Sequence, residues 1–453
     1  MRLALAAAVT IIAAVATAFV ARPAMAPIRV GVALPIQGNA AGLARQELLG
    51  IRLAADMVNA DGGIGGSPID LDVRDLESSA QAPAVMAALR AGGAAVVVGG
   101  YSSDLSVAAS TAAADAGLVY WESGAVADRL TGRGLPLVFR VGASGANLGS
   151  NSAAFAATQL AGRLGRSPAS LRLAIVNADD DYARSVAEAA AATAQAAGLP
   201  IVERASYDLA VPDWTGLMAQ LKASKPDVVI LASHVPDGIQ FRRAMIAANL
   251  KVGALIGSTM AECDPDFAGD LGPDAVGVFA SDRPTGGFEP SVLGPAARLV
   301  YDRFAAAWRS AAAPASPAPA ASTAPREAGG RSDYATDEYT ITGPVEEGSA
   351  AAGPTEEGLS GFSAAWALFR DVLPAVRGSV DPGGIAAAAR SLDLPGGALP
   401  NGAGLKFSGE SATLGQNERA AAVIWQWQAV RSYAFVWPAT YATASIQFVP
   451  LGR

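Results

Sequence analysis

The run PIDLDVRDLESSAQAPAVMAALRAGGAAVVVGGYSSDLSVAASTAAADAGLVYWESG, residues 68–124, decides the fold. PIDLDVRDLE reads as a strand, and PAVMAALRAGG carries its apolar residues at helical spacing. AAVVVGG is an apolar run without alternation, as expected of a strand buried on both faces. SSDLSVAASTAAADAG then reads as a helix that its serines can cap, and LVYWESG as the next strand. Strands separated by single helices imply parallel pairing through right-handed crossovers, with helices covering both faces of the sheet.

The pattern extends in both directions. Upstream, PIRVGVALPI is a strand and ARQELLGIRLAADMVNA an amphipathic helix that DGGIGG ends, the glycines supplying positive φ. GGIGG lacks the strand-before, helix-after setting of a dinucleotide loop and is read as a turn. Downstream the alternation restarts with SNSAAFAATQLAGRLG, LRLAIVN, YARSVAEAAAATAQAAG, LPIVERASYD, WTGLMAQLKASK and PDVVILAS. The expected fold is α/β, with two doubly wound parallel-sheet lobes. Near the C-terminus AAAVIWQWQ and RSYAFVWPATYATA form a candidate hairpin, with Trp425 and Trp427 on one face as core packing or hinge support. Residues 311–358, rich in Ala, Pro, Ser, Glu and Gly, have no apolar period and read as a flexible insertion.

Composition narrows the chemistry. The chain of 453 residues is 51% apolar and 16% charged, with a net charge of −8 and no basic patch, so no nucleic-acid partner is expected. One cysteine, Cys263, excludes an intramolecular disulfide and a cysteine-rich zinc site. One histidine, His234, excludes a histidine-cluster metal centre and leaves a catalytic triad no choice of base. We therefore expect no catalytic residues, no metal and no cofactor. Residues 1–26 read as an export signal: Arg2, the apolar run LALAAAVTIIAAVATAFV, and Ala24-Met25-Ala26 before a cut. Pro27 after that cut, and the length of the run, leave an uncleaved membrane anchor as the alternative.

LPIQGNAAGLARQELLGIRLAADMVNADGGIGGSPIDLDVRD, followed in order by VVVGGYSSDLSVAA, LVYWESGAVADRL, LVFRVGAS, IVNADDDYARS, DWTGLMAQLKASKPDVVILAS and ALIGSTM, resembles the type I periplasmic binding proteins of the branched-chain amino acid (Leu/Ile/Val) family. The resemblance runs in register over about residues 28–310. It implies two lobes joined by a three-strand hinge, with a small ligand enclosed in the cleft by hinge closure. Crossings are expected near 138–142, 278–284 and 405–409, giving one lobe of 27–140 plus 284–405 and another of 141–283 plus 406–453.

The implied function is that of an extracytoplasmic substrate-binding protein of an ABC importer. It would be a periplasmic monomer that hands an amino acid, or a related amide or carboxylate, to permease subunits; a ligand sensor is the alternative. Ser102 and Ser103 open a helix whose free N–H groups suit a ligand carboxylate, with Tyr101 on the same loop. Trp121, Glu122, Gly124 and Val126 match the next ligand loop of the family, although Glu122 and Val126 stand where hydroxyl residues are usual. Tyr182 and His234 are expected to cover the ligand from the second lobe. Thr259 falls where amino-acid binders carry an acid for the ligand ammonium, with Met260 beside it and Glu262 slightly beyond.

Overall fold

The computed structural model describes residues 25–38, 41–312, 353–449 and 451. The export signal of residues 1–26 lies outside these, apart from Met25 and Ala26, as do residues 313–352 of the Ala/Pro-rich stretch. Among the described residues no helix is long and apolar enough to cross a membrane.

The first lobe is built on a parallel sheet of β1 (Ile28–Leu34), β2 (Ile69–Asp75), β3 (Val96–Gly99), β4 (Val119–Glu122) and β5 (Val138–Arg140), in the order β2-β1-β3-β4-β5. Helices α1 (Ala41–Ala60), α2 (Ala82–Ala91) and α3 (Ser103–Asp115) connect the strands. β3 and β4 are buried along their whole length, which is why their sequences show no polar alternation.

The second lobe holds α4 (Gly145–Phe155), β6 (Leu173–Ala178), α5 (Asp181–Ala196), β7 (Ile201–Tyr207), α6 (Trp214–Ser224), β8 (Val228–Ala232), α7 (Val235–Ala247), β9 (Ala254–Ser258), α8 (Pro265–Leu271) and β10 (Phe279–Asp282). Later in the chain come α9 (Pro295–Ala312), α10 (Glu356–Ala367), α11 (Pro382–Ser391), β11 (Val423–Ala429) and β12 (Ser432–Trp437). The second sheet has the order β12-β11-β10-β9-β8-β6-β7, parallel from β10 to β7. The C-terminal hairpin extends it antiparallel to β10. Trp425 and Trp427 are both buried, their rings 5.3 Å apart.

Helix α10 belongs to the first lobe. It crosses α1 at glycines: a Cβ on Gly50 would sit 2.1 Å from the Gly358 carbonyl oxygen, and one on Gly361 2.4 Å from that of Glu47. Phe362 stacks on Phe304 of α9 with centroids 3.9 Å apart. The sequence reading let the flexible insertion run to 358, but residues 353–358 are ordered. Thr355 Oγ1 accepts the Gly358 N–H at 3.2 Å and starts α10.

Three segments pass between the lobes. The first leaves β5 at Arg140, fully buried, whose guanidinium donates to Gln416 Oε1 at 2.5 Å and to the Ala127 carbonyl at 2.7 Å. The second leaves β10 at Arg283. The third runs from Gln416 to Val423, and Asn417 Nδ2 donates to the Val141 carbonyl of the first crossing at 2.9 Å. This corrects the expectation of 405–409. Phe407 is held in the first lobe, its ring 5.3 Å from Trp121 and 5.0 Å from Phe139. Beyond the hinge, Asp128 N donates to Ser185 Oγ at 3.0 Å and Arg129 Nη1 lies 2.9 Å from Asp181 Oδ2, linking the first lobe to α5 of the second.

Candidate functional site

At the carboxyl end of β3 the chain turns through Gly99 and Gly100, with φ of 137° and 110°, and then Tyr101 at 59°. A Cβ on Gly100 would lie 1.9 Å from Ser106 Oγ and 2.1 Å from Tyr120 Oη, so glycine is required there. The turn sets Ser102 as the N-cap of α3, its Oγ accepting from Leu105 N at 3.4 Å. Ser103 Oγ accepts from Ala127 N at 3.1 Å. Both serines are half-buried, at a helix start whose free N–H groups favour an anion. Tyr101 is buried, and burial raises its phenol well above the usual range, with Glu357 and Glu356 adding to the effect. At the other end of this turn Asp104 is raised by burial and then by Asp180 and Asp181 of the second lobe. The turn therefore runs along the junction between the lobes.

The next loop corrects two expectations. Trp121 does not face the cleft: its side chain is fully buried, packs on Phe139 and Phe407, and donates from Nε1 to the Ala364 carbonyl at 2.9 Å. Glu122 is also fully buried, and its Oε1 accepts the N–H groups of Gly124 and Ala125 at 2.7 and 2.8 Å. It fixes the loop rather than meeting a ligand cation, and burial raises its pKa. Val126 is buried, its carbonyl accepting from Gly145 N at 2.6 Å. Gly124 lies nearer the junction, where its carbonyl accepts from Arg283 Nη1. Beneath this loop, Glu47 of α1 takes a 2.5 Å hydrogen bond from Ser123 Oγ. Burial, then the charge of Glu122, pushes the Glu47 carboxyl up to about 8.

On the second lobe, Tyr182 is buried in the first turn of α5, where Asp180 is the N-cap. Its hydroxyl reaches the carbonyls of Ser233 (3.2 Å) and Ser258, the ends of β8 and β9. His234 is the N-cap residue of α7, its ring edge-on to Tyr182 at 5.3 Å and its Nε2 3.2 Å from Asp180 Oδ2. The histidine thus braces two helix starts at the edge of the junction, with its side chain 26% exposed. Thr259 and Met260 have φ of 44° and 52°, and Thr259 N donates to the Ser281 carbonyl at 2.9 Å. Glu262 folds back against Gly257 beneath Tyr182, fully buried and raised by burial to about 8.

The centre of the junction was not anticipated from sequence. Arg283 and Glu356 are both nearly inaccessible, with Nη2 donating to Glu356 Oε2 at 2.9 Å and Nε 2.5 Å from Oε1. Burial works against the Arg283 charge, yet Glu356, Asp282, Glu357 and Glu47 together hold the guanidinium protonated beyond its usual range. Asp282 is raised to about 7 by burial and then by Glu356, and Asp264 to about 7 by burial. Glu357 is raised well above the carboxylate range by burial, followed by Glu356. Cys263 lies among Asp282, Glu357, Glu356 and Asp264, and burial raises its thiol strongly. The helix-start signal Thr355-Glu356-Glu357 is the one sequence cue for this group, since a capping threonine followed by two acids opens a helix.

A model of the family "Periplasmic binding protein" matches residues 27–324. The Leu/Ile/Val-binding protein homolog 8 of Brucella suis biovar 1 is 30% identical over 437 residues, 95% of each chain. Among solved structures, the chain is similar to the branched-chain amino acid transporter substrate binding protein LivJ of Streptococcus pneumoniae, in complex with isoleucine. That match has a TM-score of 0.65 and 16% identity, covering 91% of this chain and 100% of that one. A solute binding protein of R. palustris in complex with benzoate matches with a TM-score of 0.63 and 18% identity, over 92% and 98% of the two chains. Such identities speak for the fold; the family follows from the model and the Brucella relative. With its two doubly wound lobes, its three crossings and its polar junction, the chain belongs to the periplasmic binding protein family, of the branched-chain amino acid type, whose members are solute-binding proteins rather than enzymes.

Proposed function

We propose that this protein holds a small amino-acid-type ligand between its lobes in the periplasm and delivers it, as a monomer, to the permease subunits of an ABC importer. The observation that carries this reading is the course of the Tyr101–Asp104 turn. Charged groups act on it at both ends, Asp180, Asp181 and His234 of the second lobe on Asp104, and Glu357, Glu356, Arg283 and Cys263 on Tyr101. A zwitterion fits such a wall, with its carboxylate on the start of α3 at Ser102 and Ser103 and its ammonium on the carboxyl groups opposite. Tyr101, Gly124, Tyr182, His234 and Thr259 would frame it. Transport is favoured over sensing by the ABC-transporter setting of the similar solved structures.

A panel of amino acids, amides and small carboxylates, screened by melting temperature, tests the reading. A ligand present at 100 times its Kd raises stability by about 2.7 kcal/mol. The expected result is a shift with at least one amino acid that Ser102→Ala weakens. A ligand consumed chemically, with no shift from any compound, would defeat it.

A further inference from the structure

We infer that the protein has a second ligand site, a basic pocket at the outer pole of the second lobe that takes a phosphate group. Arg166, Arg172, Lys222, Lys225, Asp227 and Lys251 line a concavity of about 440 Å³ there. Arg172 directly precedes β6, Asp227 precedes β8 and Lys251 comes shortly before β9, so the pocket lies at the amino ends of the parallel strands. Ser233 and Ser258, which receive the Tyr182 hydroxyl, mark the carboxyl ends of β8 and β9, a strand length away. The sequence reading found no basic patch because these cations are spread from 166 to 251; the fold assembles one. It holds three of the four lysines in the chain.

Five cations thus face one carboxylate, in a chain whose net charge is −8. Asp227 is already engaged: its Oδ1 accepts from Arg166 Nη2 at 3.1 Å and its Oδ2 from the Arg172 N–H at 2.9 Å. Arg172 is held by carbonyls at the end of α6, Nε donating to Lys225 at 2.9 Å and Nη2 to Ser224 at 2.5 Å. That leaves its Nη1 for another acceptor. Among the described residues, the ammonium groups of Lys222, Lys225 and Lys251 have neither a hydrogen bond nor an ion pair. Lys225 caps α6 with φ of 48°, a conformation that glycine usually supplies. The carbonyl end of α6 favours Arg172, Lys222 and Lys225, but Arg166 and Lys251 come from other segments. Like charges gathered in a hollow repel one another unless an anion sits among them. A phosphate group carries up to about two negative charges and several acceptor oxygens, and so answers several of these donors at once.

Two probes at low salt test the site and separate a soluble phosphate from a lipid headgroup. One is calorimetric titration of the full chain with inorganic pyrophosphate. The other is flotation with phosphatidylcholine vesicles, with and without phosphatidylglycerol. The expected result is that the chain binds pyrophosphate, or prefers the vesicles that contain phosphatidylglycerol. The combined variant Lys222→Ala, Lys225→Ala, Lys251→Ala should lose at least about tenfold of that affinity. The three side chains are exposed and unpaired, so the variant should keep its melting temperature and its affinity for a cleft ligand. Pyrophosphate binding alone assigns the pocket to a soluble phosphate, vesicle preference alone to a headgroup, and both together to the group they share. Neither binding nor preference, or either one kept in full by the variant, would overturn the site.

Discussion

Arg283, at the end of β10, and Glu356, in the first turn of α10, form a two-point ion pair across 73 residues of sequence at the second crossing between the lobes. The guanidinium also reaches the Gly124 carbonyl, so three separate segments converge on one side chain. Removing a single member of a buried pair leaves an uncompensated charge, which costs about 3–5 kcal/mol. Arg283→Met or Glu356→Leu alone should lower stability to denaturant by that order. The double variant should recover much of the loss, because two apolar groups leave no buried charge behind. A double-mutant cycle from urea unfolding measures this, and strict additivity of the two single losses would contradict it.

Gly124 has no room for a side chain. A Cβ there would lie 2.5 Å from Glu47 Oε2 and 3.2 Å from Tyr101 Cα, while its carbonyl serves Arg283. Gly124→Ala must displace Glu47 or the Tyr101 turn, at a cost of about 1–3 kcal/mol for overpacking. Because the Tyr101 turn lies on the proposed ligand wall, affinity should fall together with melting temperature. A variant that melts earlier but binds its ligand unchanged would separate the turn from the site.

The buried acids set the direction of the pH response. Glu47 and Glu262 are raised to about 8, and Asp264 and Asp282 to about 7, chiefly by burial. Each holds its proton more firmly folded than unfolded, so its stabilising contribution is complete below about pH 4 and is lost as pH rises through 7 to 8. The melting temperature of the ligand-free protein should therefore fall between pH 5 and pH 8.5. One such group contributes a slope of up to about 1.4 kcal/mol per pH unit. Glu262→Gln replaces a neutral buried acid with a neutral amide and should flatten the profile. A profile of unchanged slope in this variant would contradict the assignment.

The doubly wound lobes were legible because their strands are apolar throughout and alternate with helices of clear period; β3 and β8 show this most plainly. Membership of the binding-protein family was legible too, because the loops keep their order and spacing. The junction was not. In Trp121-Glu122 the strand period tells that the two side chains point opposite ways, but not that one meets Phe139 and Phe407 while the other ties its own loop. Glu356 and Glu357 follow a long Ala/Pro-rich stretch whose composition hides the start of α10. Only the topology brings them to Arg283, Asp282 and Cys263 of the other lobe.

Tyr182 separates a structural part from a binding part within one side chain. Its hydroxyl lies between the carbonyls of Ser233 and Ser258, closing the ends of β8 and β9, while its ring stands edge-on to His234 at the edge of the junction. Tyr182→Phe keeps the ring and removes the donor, so buried carbonyls are left unpaired at a cost of about 1–3 kcal/mol. Tyr182→Ala removes both and adds a cavity, costing about 3–5 kcal/mol. If the ring frames the ligand, Phe should bind nearly as well as Tyr, while Ala should lose at least about tenfold in affinity beyond what its lower stability explains. Calorimetric titration at a temperature where all three forms stay folded decides the matter. Equal affinities in Tyr, Phe and Ala forms would confine Tyr182 to bracing the strand ends.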